Sequence, residues 1–328
     1  MSAKPLMVRP LESGDREAWD ELAARHGSIF DGLRWTELFG ASLRRLGIYD
    51  AGGALRGGFC VWEQRTFGLR IWRNPPYTPA IGPFFEPRAS NPAARTDEQR
   101  AVVEAMAEHL SGSAAAVTSL ALSVGISDGL PFYWRGWKVV PHYTYRIDLT
   151  QSEEVLLAAM SAQQRNPINK AKKDGVCVEE TADAVDLRAL VLKTFSRQDK
   201  AFSPRVMDLV LNAYPPGKNS ACFISRHQGL PIAGAYIVHD DRTAYNLMTG
   251  YDDAHAHNGA GPLAMWHAIL KAKAMGLKVF DFEGSVVPPI ERYFRGFGGQ
   301  LTPLFTVNKA WLPVELGLKL LPRHRNRF

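Results

Sequence analysis

Tyr133-Trp134-Arg135-Gly136-Trp137 returns 160 residues later as Tyr293-Phe294-Arg295-Gly296-Phe297. An aromatic-aromatic-Arg-Gly-aromatic unit near the end of each half reads as a duplicated domain. Two related domains packed side by side enclose a cleft, and one copy is free to lose its chemistry.

In the second half, Tyr143, Tyr145, Ile147 and Leu149 alternate as a strand. A helix follows from Ser152, with Glu153 and Glu154 in its first turn, to a glycine cap at Asp174-Gly175. Val176 to Glu180 reads as a short strand, and two helices lie around Leu187 to Phe195 and Pro204 to Ala213. Ala221 to Tyr251 holds three apolar runs separated by polar turns, the pattern of an antiparallel meander. Pro262 opens a helix that stops at Gly276, and Lys278 to Gly284 reads as a strand. A short helix at Pro289 to Phe294 and a strand at Leu301 to Asn308 complete the set.

The first half repeats this order. It has a strand at Met7 to Leu11, helices at Asp15 to Ala24 and Leu33 to Leu43, and a meander through Ile48, Phe59 to Trp62 and Leu69 to Trp72. A helix at Asp97 to Leu110 and a strand at Ser119 to Ser123 lead into the first aromatic unit. Between meander and helix, Pro75 to Pro83 is too proline-rich for a central strand and suits a rigid wall beside a cleft. The expected division is 1–141, 142–310 and a basic tail at 311–328.

The chain has 328 residues, 46% hydrophobic and 22% charged, an ordinary globular composition with room for two cores. Its net charge of +6 implies modest attraction to phosphates rather than a dedicated nucleic-acid surface. Lys319, Arg323, Arg325 and Arg327 make the C-terminus basic, as a solvated tail or as a contact for an anionic membrane or RNA backbone. Cys60, Cys177 and Cys222 are too scattered for a disulfide framework or zinc site and read as buried small hydrophobes. No apolar leader or span is present, so a cytoplasmic location, extending to the inner face of a membrane, is the expectation.

The element order from meander to Tyr-x-x-Gly-aromatic, with FYWRGWKVV, resembles the GCN5-related N-acetyltransferase (GNAT) fold. Two such units in tandem, with YTPAIGPFF, YTYRIDLT, KKDGVCVEE, GLKVFDFEGS and YFRGFGGQL, resemble the FemAB-like aminoacyl and acyl transferases. The expected class is therefore α/β with mixed sheets, as two tandem GNAT-like domains, the second carrying the chemistry.

The resemblance implies a phosphate-cradling loop at Ala256 to Pro262, where backbone N–H groups would face a donor at Asn258, Gly259 and Gly261, with Phe294 beside them. The family's leading Gln or Arg is Ala256 here, and Pro262 removes one N–H, so a turn that merely starts the helix is the other reading. Asp281 and Glu283, alternating with Phe280 and Phe282, would point to one side of their strand. They would accept a proton from an attacking amine, or else pair with a nearby Arg or cap Ser285. Arg295 stands where such proteins commonly carry Lys and would stabilise the oxyanion. Arg135, its counterpart, reads as structural, stacked on Trp134 or Trp137.

Arg165 and Lys172, seven positions apart, share a helix face that would grip a precursor's pyrophosphate or simply be solvated. The resemblance also puts Trp35, Tyr77 and Tyr251 at the acceptor. His255 and His257 lack a ligand set, so no metal is expected, and no nucleophile elbow appears, which leaves direct transfer from ester or thioester to amine. No tightly bound cofactor is expected; the co-substrate would be acyl-CoA or aminoacyl-tRNA, and the acceptor a small or precursor amine of the cell envelope or of polysaccharide. The alternative is a non-catalytic GNAT-fold scaffold. Oligomeric state is not indicated.

Overall fold

The structure, a computed structural model, describes residues 6–196, 203–321 and 327–328. It is a mixed α/β chain of two compact units, Met1–His142 with Pro303–Phe328, and Tyr143–Thr302. The C-terminal segment thus belongs to the first unit, where the sequence reading gave 303–310 to the second copy and the rest to a tail. Among the described residues no helix is long and apolar enough to cross a membrane.

The chain runs β1 (Met7–Pro10), α1 (Arg16–His26), α2 (Leu33–Thr36), β2 (Leu43–Tyr49), β3 (Leu55–Thr66), β4 (Leu69–Arg73), β5 (Phe84–Phe85), α3 (Pro92–Ser111), β6 (Val117–Ala121), α4 (Leu130–Trp134) and β7 (Lys138–Asp148). It continues through α5 (Glu153–Ala159), α6 (Ala162–Lys173), β8 (Cys177–Thr181), α7 (Val185–Ser196), α8 (Pro204–Ala213), β9 (Ser220–His227), β10 (Leu230–His239) and β11 (Thr243–Tyr251). Last come α9 (Ala260–Ala274), β12 (Val279–Asp281), α10 (Pro288–Arg295), β13 (Gln300–Ala310) and α11 (Leu312–Lys319).

In the first unit β2, β3 and β4 form the meander, β4 pairs β6 in parallel across α3, and β13 pairs β6 antiparallel. Alternation along β3 sends Phe59 and Val61 into the core beneath α3 and Cys60 into the core with Trp19 of α1. In the second unit β9, β10 and β11 form the meander, β11 pairs β12 in parallel across α9, and β12 pairs β7 antiparallel. One face, with Tyr145, Ile147, Ala235, Ile237, Phe280 and Phe282, packs under Leu263, Trp266 and Ile269 of α9. The two copies share meander, crossover helix and parallel strand, as the repeat predicted.

Three departures from the sequence reading bear on function. The helix expected from Ser152 to Gly175 is two helices, because Met160 is extended (ψ 143°) and Ser161 donates its N–H to the Gly296 carbonyl at the end of α10. The strand expected to reach Gly284 stops at Asp281. Cys177 is exposed rather than buried, although Cys60 and Cys222 are interior.

Candidate functional site

Strand β11 runs beside β12 for only three residues, Thr243 to Tyr245 against Val279 to Asp281. Beyond Tyr245, β11 continues to Tyr251 while β12 ends, so the two strands part. A bulge supports the divergence: Tyr236 faces Met248 and Ile237 faces Asn246, which leaves Leu247 as the extra residue. From Asn246 on, no strand among the described residues pairs β11 on its β12 side, a template on which an extended arm can lie as far as Tyr251, whose N–H donates to Thr194 Oγ1 (3.0 Å) and whose carbonyl accepts from it (3.4 Å).

That part of β11 borders a cleft of about 470 Å³ within the second unit. Thr249, Gly250 and Tyr251 contribute from β11, Gln163, Gln164 and Pro167 from α6, and Tyr293 from α10, with Asn258, Gly261 and Pro262 at the start of α9. Every side chain in this lining is neutral. Of the residues expected in the site, the structure brings together Asn258, Gly261 and Tyr251.

Tyr293 was missed, although it opens the repeated aromatic unit. Gln164 donates to its backbone carbonyl (3.0 Å), and its ring packs edge-on against Phe297. Burial alone raises its phenol far above the ordinary value, so at neutral pH it holds its proton. Its hydroxyl lies 3.7 Å from where a side chain at Gly261 would begin, which puts a proton donor at the mouth of the glycine loop.

The loop itself offers an anion little. Gly259 donates its N–H to His257 Nδ1 (3.1 Å), Ala260 donates to the His257 carbonyl (2.9 Å), and Pro262 has none. Gly261 is left as the first-turn N–H for a phosphate, among the described residues. Gly259 has a packing reason instead: a Cβ there would sit 2.0 Å from the Pro167 carbonyl oxygen, so only glycine lets α6 approach.

The preceding turn is held by Asp252, which accepts from Lys193 Nζ (2.7 Å) and the Ala254 N–H (3.1 Å) and meets His255 Nδ1 at 3.3 Å. These bonds, that from Lys193 first, bring its carboxyl down from 3.8 to about 2. A depressed folded-state pKa means the loop's stabilisation is complete above about pH 4 and is lost as pH falls toward 2. Hydrogen exchange of residues 252–261 is expected to accelerate across that window ahead of the core. Among the described residues no three acidic, His or Cys groups could hold a metal.

Asp281 closes β12 opposite Arg146 of β7. It accepts from Thr144 Oγ1 (2.5 Å), lies 3.2 Å from Arg146 Nε, and accepts the Glu283 N–H (2.8 Å). Glu283 is not on the strand; its φ of 58° is left-handed, and Gly284 follows at 71°. A Cβ at Gly284 would lie 2.0 Å from the Tyr143 carbonyl oxygen, so the chain turns away there against β7. The alternation expected to align the two carboxylates fails, yet the turn still sets them together.

Glu283 Oε1 is buried without a hydrogen-bond partner. Burial, then the charge of Asp281, pushes its carboxyl well above the usual range. Burial also raises Asp281, opposed by Thr144 and Arg146. The pair holds one more acidic group than Arg146 can neutralise, which favours the protonated form of Glu283.

Arg295 is not with them. Its side chain is 59% exposed and pairs with Glu291 (3.5 Å), which accepts from Tyr145 (2.6 Å) on the core face of β7, opposite to Thr144 and Arg146. Phe294 is a core residue stacked near Phe282. Arg165 bends back to the Ala158 carbonyl (3.3 Å), and Lys172 is exposed; the face of α6 toward the cleft is the glutamines and proline instead.

In the first unit Trp35 is fully buried, donating to Thr78 (2.9 Å) and edge-on to Phe30. Tyr77 has a left-handed backbone (φ 56°) in the proline-rich stretch. Arg135 stacks on neither tryptophan: Arg100 lies over Trp134, Lys309 over Trp137, and Arg135 donates to the Pro131 carbonyl (3.2 Å). Of the tail, Arg323 and Arg325 lie outside the described residues, while Lys319 pairs with Glu315 (2.5 Å).

Residues 159–295, which carry the cleft, match the model of the acetyltransferase (GNAT) domain. The chain is similar in structure to FemX (TM-score 0.63, 10% identity, 91% of this chain and 96% of that one). It is also similar to the C-terminal domain of a putative lysylphosphatidylglycerol synthetase from Agrobacterium fabrum (0.59, 12%, 93% and 95%) and to L-PGS from Bacillus licheniformis (0.55, 10%, 100% and 100%). No curated protein matches it by sequence. Residues 159–295 thus match a GNAT acetyltransferase domain, and the chain as a whole shares the fold of FemX and of the lysylphosphatidylglycerol synthetase domain, the fold that its resemblance to the FemAB-like group implied.

Proposed function

We propose that the second unit transfers an acyl or aminoacyl group from an activated thioester or ester to an amine. The observation that carries this reading is the parting of β11 from β12 beside a neutral cleft. The donor's arm would lie along the free edge of β11, pairing with backbone groups as an added strand does. The amine nitrogen attacks the carbonyl carbon, the C–N bond forms, and the C–S or C–O bond breaks. Tyr293 gives its proton to the departing sulfur or oxygen, and the Asp281–Glu283 pair takes the proton lost by the amine.

GNAT domains use acyl-CoA as co-substrate. In this chain the first turn of α9 has one N–H to offer a diphosphate, which favours a donor recognised along its arm. An acyl-CoA, whose pantetheine arm carries two amides, fits that description; an aminoacyl-tRNA would present its ester without such an arm and is the second donor to test, since FemX and the lysylphosphatidylglycerol synthetases share the fold. The acceptor would be an amine of an envelope precursor. Incubating the full chain with acetyl-CoA in one arm and charged tRNA in the other, each with an amine pool, tests the reading by mass-detected amide; no amide from either donor would favour a scaffold.

The acidic pair makes a further prediction. A carboxyl raised above its free value of 4.5 holds its proton more tightly in the folded state, so wild-type stability declines as pH rises from about 5. Glu283→Gln is expected to flatten that decline, melting higher than wild type at pH 8 and equally at pH 5, while transfer is lost. Parallel melting curves with a constant offset would show that Glu283 does not titrate in this window.

A further inference from the structure

Helix α11 of the first unit buries none of its residues. Leu312, Leu316 and Leu320, at helical spacing on one side, are 70%, 58% and 84% exposed, with exposed Trp311 and Leu321 beside them. An apolar stripe of this size on a helix end needs an occupant. Trp311 is fixed by its N–H to the Ala116 carbonyl (2.9 Å), and two residues earlier Lys309 Nζ donates to the Arg135 carbonyl (3.1 Å). That bond ties in the end of α4, where Tyr133 and Trp134 are also exposed. The start of α11, at Trp311, and the end of α4 are therefore anchored beside each other at one corner of the unit.

The charges around this corner are mostly cationic, and its carboxylates are taken up: Asp128, at the start of α4, pairs with Arg100 (2.8 Å), which lies over Trp134. Arg135, Lys138 and Lys309 have no carboxylate within ion-pair distance among the described residues, and the single acidic side chain of α11, Glu315, is taken by Lys319. Exposed Trp and Tyr rings, a leucine stripe and unpaired cations are the chemistry of a surface that enters the headgroup layer of a bilayer. Contact with a second copy across a twofold axis would set the same cations against one another.

We infer that this corner, made by α11 and the end of α4, docks on an anionic lipid surface. The leucines and Trp311 enter the acyl boundary, while Arg135, Lys138 and Lys309 meet the headgroup phosphates. None of its residues lines the acyl-transfer cleft, and it would bring the protein to substrates held at a membrane.

Sedimentation of the full chain with vesicles tests this, comparing phosphatidylcholine alone with phosphatidylcholine containing about one-third phosphatidylglycerol. Binding is expected to the anionic vesicles only and to weaken with salt. Leu316→Glu with Leu320→Glu should lower the partition about tenfold or more. Lys138→Glu, at an exposed position, should lower it severalfold. Melting temperature without vesicles and transfer to a soluble amine should be unchanged in both. Unaltered partition in the variants, equal binding to neutral vesicles, or a wild-type dimer in light scattering that the leucine variant abolishes would each overturn the proposal.

Discussion

Tyr293→Phe is expected to lower kcat about a hundredfold while leaving the KM for the donor nearly unchanged, the signature of a lost general acid. The phenylalanine keeps the ring, so its contacts with Phe297 and Phe294 and the carbonyl that accepts from Gln164 all survive. Only the hydroxyl beside Gly261 is removed. Because burial holds the phenol protonated, wild-type activity should show no loss attributable to Tyr293 up to pH 9. A donor with a leaving group of low pKa needs no acid, so the variant should regain most of its rate on such a substrate. Equal loss on good and poor leaving groups would instead mark a packing role.

Gly284→Ala is expected to cost about 2–4 kcal/mol of unfolding free energy, combining left-handed strain with overpacking. The glycine has φ 71°, and a methyl group there would meet the Tyr143 carbonyl oxygen at 2.0 Å. Relief requires moving the turn away from β7, which would also strain the bond from the Phe282 N–H to the Tyr145 carbonyl (3.0 Å). The same movement would separate Glu283 from Asp281, so activity should fall beyond what the unfolded fraction explains. Urea denaturation measures the first effect, and turnover of the folded fraction the second. A loss under about 0.5 kcal/mol would mean that the turn has more freedom than the contact implies.

Much of the fold was legible because its signals are local. The meander announces itself by apolar runs between turn residues, α9 by a helical period, and the duplication by the repeated aromatic unit. The asymmetry of the copies was legible too. Where the second unit has Asp281 facing Arg146, the first has Ser119, which donates to Asn308 (2.7 Å) without any charge.

What escaped the sequence reading depends on tertiary contact. Phe280-Asp281-Phe282-Glu283 alternates as a strand should, yet the approach of Tyr143 to Gly284 leaves the strand ending at Asp281. The break at Met160 follows from a bond to Gly296, more than a hundred residues away. Arg295 drew the chemistry by its charge, but helix α10 turns it to solvent and Glu291, and gives the cleft Tyr293. The unit opens with Tyr in both copies, so composition alone held no sign that the second, Tyr293, is partly buried and the first, Tyr133, exposed.

The central claim is that transfer occurs in the cleft where β11 leaves β12, with Tyr293 as acid and the Asp281–Glu283 pair as base. The most direct test is single-turnover amide formation from the preferred donor by wild type, Tyr293→Phe, Glu283→Gln and Arg295→Ala. The expected result is a rate near wild type for Arg295→Ala and losses of about a hundredfold for the other two. Full rates in Tyr293→Phe and Glu283→Gln, with loss in Arg295→Ala, would contradict it and return the chemistry to the exposed arginine.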